Sequence, residues 1–114
     1  MQISEFINKL NTQAESINFE DTMAVIDANY NFTPTAFRNG DTQNATEQNN
    51  GSCKVFAFAQ LNNLTEELTL QCFGDYYRKD VLQNPQGSDH QNIRNFIKTG
   101  WAGIKFEDSP LEAT

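Results

Sequence analysis

The chain has little of what most small-protein chemistry is built from. Among 114 residues there are two cysteines, one histidine and one tryptophan. Two cysteines, Cys53 and Cys72, exclude a disulfide framework and fit a reduced, cytosolic environment. One histidine and two cysteines at unrelated spacings match no zinc-ligand pattern, so no metal and no cofactor are expected. No apolar run approaches the ~18 residues that a membrane span requires. The opening segment, MQISEFINKLNTQ, has neither the basic start nor the apolar stretch of a secretory signal peptide. Basic residues are few, eight against fifteen acidic ones, for a net charge of −7. Phosphate binding needs clustered Lys and Arg, and this chain has no basic run, so neither nucleic acid nor anionic lipid is an expected partner.

What the chain does have is aromatic and periodic. Nine phenylalanines and Trp101 supply a core large enough for a domain of this length without metal or disulfide support. The reading is one domain, residues 1–114, mainly α: a compact helical domain of about five helices with a small β-hairpin or loop insertion. Ile3, Phe6, Ile7 and Leu10 follow the i, i+3, i+4, i+7 spacing of an amphipathic helix. A second helix starts at Asn18 as N-cap, with Glu20 and Asp21 in its first turn, and stops before Pro34. The polar stretch 33–51 breaks the pattern. Within it Asn39-Gly40 reads as a two-residue hairpin turn pairing Thr35–Arg38 with Asp41–Asn44.

Order resumes at Ser52, read as the N-cap of a buried helix centred on Val55–Ala59. Thr65 then caps a long helix running to Asn84-Pro85, with Gly74 inside it at a cost of ~1 kcal/mol relative to Ala. The last helix opens with Ser88 and Gln91 as a capping box and ends at Gly100. A short strand in WAGIKF and a frayed tail at 107–114 complete the reading.

Candidate chemistry centres on His90, placed in the first turn of the last helix. There a neutral imidazole serves as base, ligand or donor, although a partly exposed histidine beside a capping box is the ordinary alternative. Cys53, just inside a helix start and next to Lys54, has the position of a low-pKa thiol and could pair with His90 as nucleophile and base; the plainer reading is a small buried core residue. Asp75 is the candidate carboxylate. Arg38 on the hairpin, with Tyr76, Arg78, Arg94 and Trp101, makes up the candidate binding set, with a pocket among Tyr76, Arg78 and Asp27 as one arrangement. Asp75–Lys79 has the spacing of an ordinary surface ion pair.

The segments MAVIDANYNFTPTAFRNG, NGSCKVFAFAQLN and CFGDYYRKDVLQNPQGSDHQNIRNFIKTGWAGIKF together resemble the HopJ type III effector family. The similarity covers about residues 17–106 and departs mainly in the Thr42–Asn50 loop. It implies a small bacterial protein, in the bacterial cytoplasm or delivered into host cells by a type III system, and it carries over no catalytic residue. The expectation is a monomer that binds a host or intracellular partner, protein or small molecule, with no catalytic activity assigned. The alternative is a small enzyme with a His90-centred polar cleft and Cys53 or a carboxylate as second group.

Overall fold

The apolar spacing at the N-terminus produces α1 (Ile3–Thr12), which buries Phe6 and Leu10. Asn18 starts α2 (Phe19–Asn29) with a full capping box: its side chain accepts from the Asp21 N–H, and the Asp21 carboxylate accepts from the Asn18 N–H. The apolar stretch 53–59 lies in α3 (Asn50–Leu61), where Cys53 and the run Val55–Ala59 are all buried. Thr65 caps α4 (Glu66–Gln71), accepting from the Leu68 N–H at 3.1 Å. The final α-helix is α5 (Gln91–Thr99). These elements belong to a computed structural model that describes residues 1–114.

The mainly α expectation is corrected by the strands. Helical residues make up 54% of the chain and strand residues 13%, in two small antiparallel sheets. One sheet pairs β1 (Tyr30–Phe32) with β5 (Leu111–Ala113). The other has β2 (Phe37–Asn39) between β3 (Thr42–Asn44) and β4 (Ile104–Phe106). The fold is therefore an α/β mixture. The 107–114 tail does not fray: Leu111 is buried and faces Phe32 in the register. The polar flanks Glu107, Asp108 and Ser109 hide the buried pair Pro110–Leu111 in the sequence.

Three further expectations shift. The hairpin turn is Gly40-Asp41, one residue later than Asn39-Gly40, because Asn39 pairs with Thr42. Gly40 takes φ +61°, and a positive φ at the first turn position is what glycine tolerates and other residues resist. The long helix 65–84 is broken. Gly74 has φ +63°, and a Cβ there would lie 2.8 Å from the Phe19 nitrogen, so the chain turns at Gly74 and resumes as a π-helical segment, Tyr76–Val81. Lastly, Ser52 and Ser88 cap nothing. The N-cap positions are Asn49 and His90, both left-handed, and Gln91 donates to the Ser88 carbonyl rather than completing a box.

A core of 22 buried residues joins these elements. Phe56 is central, with ring centroids 4.9 Å from Phe96, 5.5 Å from Phe73 and 6.2 Å from Phe37. No helix is long and apolar enough to cross a membrane.

Candidate functional site

The starts of α3 and α5 face one open cleft of about 460 Å³. Neither start is capped by a side chain, so first-turn N–H groups are left without a helical acceptor. One wall is aromatic: Phe73 and Phe19 stack at 6.3 Å, Phe19 meets Tyr76 edge-on at 5.3 Å, and Tyr76 lies 5.1 Å from the His90 ring. The other wall is polar and neutral, built from Thr42, Asn49, Ser52 and Asn92.

His90 is fixed from three directions. Its backbone has φ 50°, ψ 50°, a left-handed conformation in which histidine, like Asn and Asp, is over-represented. Its Nε2 lies 3.0 Å from the Asp80 carboxylate on the π-helical segment and 3.8 Å from that of Asp89. The preceding loop is tied down by Arg94, which is buried. The guanidinium donates to the carbonyls of Asn84, Asp80 and Asp89 and pairs with the Asp89 carboxylate at 2.6 Å. That hydrogen bond from Arg94 holds Asp89 below its ordinary pKa of 3.8.

Beneath the polar wall is a buried amide cluster. Asn39 Nδ2 donates to the Asn92 carbonyl and side-chain oxygen, and Asn44 and Asn92 exchange hydrogen bonds through their amides at 3.0–3.1 Å. Asn49 Nδ2 donates to Asn44 Oδ1 at 2.7 Å. One buried side-chain atom, Asn39 Oδ1, has no partner. The cluster joins the hairpin to the start of α5, which fixes the cleft's width.

Of the residues singled out from the sequence, His90 and Tyr76 meet in the cleft. Cys53 does not. It is buried, its Sγ donates to the Thr35 carbonyl at 3.6 Å, and burial raises the thiol to about 11 against the small opposing pull of that hydrogen bond. Cys53 is therefore the small buried core residue of the plainer reading and not the low-pKa nucleophile, because desolvation outweighs the helix dipole. Cys72 is pushed up to about 12 by burial alone. Asp75 is exposed, 3.6 Å from Lys79 and 3.8 Å from Arg78. Arg38 folds back on its own hairpin, donating to the Gly40 carbonyl, and does not line the cleft.

Arg78 clamps the α1–α2 connection through the carbonyls of Ala14 and Ile17. Asp27 pairs with Lys54 at 2.9 Å, apart from Tyr76, which lines the cleft, and from Arg78, which holds the α1–α2 connection. Trp101 packs edge-on against Phe96 and donates to the Leu64 carbonyl.

Sequence reasoning missed Asp80 and the asparagine cluster. Asp80 meets His90 across ten residues of irregular chain, a separation that no periodicity marks. Asn39 and Asn44 read only as hairpin residues, and nothing in the pattern marks Asn92. The one available hint was the density of asparagine on both sides of a hairpin signal, since the amide is the side chain that both donates and accepts.

A family model described as HopJ type III effector protein matches residues 3–111. Among solved structures, the chain is similar to one titled "Crystal structure of unknown function protein VPA0580", at 58% identity and a TM-score of 0.98, covering 100% of this chain and 95% of that one. No curated protein matches the chain.

Proposed function

Because this chain belongs to the HopJ type III effector protein family, we propose that it acts as a binding protein, recognising a host or intracellular partner through the His90 cleft. One observation carries the reading: His90 and Tyr76 stand side by side at an open cleft, and the surrounding structure holds His90 rigidly in place. Binding sites that combine an aromatic surface with a few fixed polar groups are the usual form of ligand recognition. Neither thiol lines the cleft, and both are buried in the core. Family membership also supports delivery from the bacterial cytoplasm by a type III system. The protein is proposed to work as a monomer.

The test has two parts. Secretion is compared in strains with and without the type III apparatus. Partner capture is compared between the wild-type chain and Tyr76→Ala. Apparatus-dependent export, together with a partner lost from the variant, is the expected result. Capture unaffected by Tyr76→Ala removes the cleft from the proposal.

The Asp80–His90 contact favours a second reading. A carboxylate 3.0 Å from an imidazole nitrogen is the arrangement that orients a histidine for proton transfer. In an enzyme of this kind His90 moves the proton and Asp80 is a positioning residue. Asp80→Asn distinguishes the readings. Loss of biological response with partner capture retained favours the enzyme; an unchanged response favours binding alone.

A further inference from the structure

The two walls of the cleft differ in chemistry, and the difference restricts what fits between them. The aromatic wall offers the rings of Phe19, Tyr76 and His90, Phe19 edge-on to Tyr76 and Tyr76 tilted by 34° to His90. Gly51 is what lets that wall close up against α3, since a Cβ on it would come 2.7 Å from the Phe19 ring. The polar wall presents groups that the fold leaves unused. Thr42 Oγ1 accepts from Asn95 at 2.7 Å, and its own proton has no acceptor. The Ser52 hydroxyl, on the first turn of α3, lines the cleft without a hydrogen-bond partner in the chain.

Charge is what the lining lacks. No lysine, arginine, aspartate or glutamate lines the cleft. Asp80, the closest acid to His90, is held by the imidazole. An ammonium group entering here would lose water without gaining a counter-ion, and a phosphate or carboxylate would meet the first-turn N–H groups of α3 and α5 but no basic side chain. A purely aliphatic ligand would leave the Ser52 and Thr42 hydroxyls desolvated and unpaired. A flat, neutral ring with hydrogen-bonding groups along one edge satisfies both walls, because stacking tolerates any π-face and the edge meets the hydroxyls.

Resting on the reading of this cleft as the recognition site, we propose that its ligand is a small neutral heteroaromatic ring, laid on the Tyr76–His90 wall with its polar edge toward Ser52 and Thr42. The probes are uracil, cytosine and nicotinamide as neutral rings, with benzene, benzoate and inorganic phosphate as controls. Binding is followed by amide chemical shifts of the full chain. At least one neutral ring is expected to shift the amides of Phe19, Gly51, Ser52 and Tyr76 saturably, with millimolar affinity, as is usual for ligands this small. Tyr76→Ala is expected to weaken that binding about tenfold, the scale of losing one stacking surface, and Ser52→Ala is expected to weaken it less. Both sites are at the protein surface, and amide spectra of the variants establish that they fold.

Benzoate, phosphate or benzene shifting the same amides as strongly as the neutral rings would overturn the ligand class and leave the cleft as a binding site. Failure of every probe to shift these amides would overturn both. Binding that shifts them but survives both substitutions would overturn the stacking geometry.

Discussion

His90 holds a left-handed backbone that most residues resist. Asparagine adopts that conformation readily, whereas alanine is disfavoured in it by ~1 kcal/mol. Replacing His90 therefore separates backbone from side chain. His90→Asn should melt close to the wild type, and His90→Ala should be about 1 kcal/mol less stable. Thermal denaturation of the three proteins checks the order, and an alanine variant as stable as the asparagine one would show that the conformation costs nothing here. Because Asn keeps the fold while removing the ring, it is also the cleaner variant for partner capture.

The two thiols make a second prediction at this scale. Both are raised in the folded chain, to about 11 for Cys53 and about 12 for Cys72. In the unfolded chain they ionise near 9, so above that pH the unfolded state releases protons that the folded state keeps. The stabilisation is fully present below pH ~9 and falls away as pH rises toward the folded values. Denaturant midpoints should drop between pH 8.5 and 10.5, roughly, and less so in a Cys72→Ala variant measured against its own neutral-pH value. A disulfide-exchange reagent at neutral pH should react slowly with the native protein and find both thiols on unfolding.

At the scale of elements, the loop before α5 depends on Arg94 and Asp89. Asp89 is held below its ordinary 3.8 first by the Arg94 hydrogen bond. Its contribution is present above that ordinary value and is lost as pH falls through the lowered folded one. Amide protection at residues 84–90, exchange measured against the intrinsic rate at each pH, should therefore fall below about pH 4 before the core opens, and Asp89→Asn should show low protection at any pH. Arg94→Ala removes a buried guanidinium and leaves three carbonyls without their donor, a loss of about 2–4 kcal/mol. The last strand is tested in the same way. Deleting residues 107–114 removes buried Leu111 and the partner of β1, and a loss of less than ~1 kcal/mol would mean that β5 does not hold.

These elements also show where the sequence was legible. Helices α1, α2 and α4 could be read because each carries a complete local signal, an apolar stripe or a side-chain cap. The break at Gly74 could not, because its cause is the backbone of Asn18 and Phe19 from another helix. The strands β1 and β5 are three residues each, too short for alternation to register, and they meet only in the folded chain. The site follows the same division. His90 and Tyr76 stood out as residue types, whereas the Asp80 contact and the asparagine cluster exist only through tertiary placement.

For the molecule as a whole, charge is the least balanced quantity. Of fifteen acidic side chains, three pair with lysine or arginine, Asp27, Asp75 and Asp89, a fourth, Asp80, contacts His90, and eleven do neither. Salt acts on both sets. It screens the existing pairs, which weakens the fold, and it screens repulsion among the unpaired acids, which strengthens it. The pairs with Asp27 and Asp75 have exposed carboxylates, and such pairs are typically worth ~0–1 kcal/mol each. The Arg94 pair is secured by carbonyl hydrogen bonds as well as by charge, so screening affects it least. Repulsion at net −7 has no comparable protection, and its relief should win. The melting temperature should rise by a few degrees between roughly 10 mM and 500 mM sodium chloride, where the Debye length falls from about 30 Å to less than 5 Å. Sodium chloride should also leave binding of a neutral ring at the cleft unchanged, because no charged side chain lines it. A fall in melting temperature with salt would mean that the ion pairs outweigh the excess of acids.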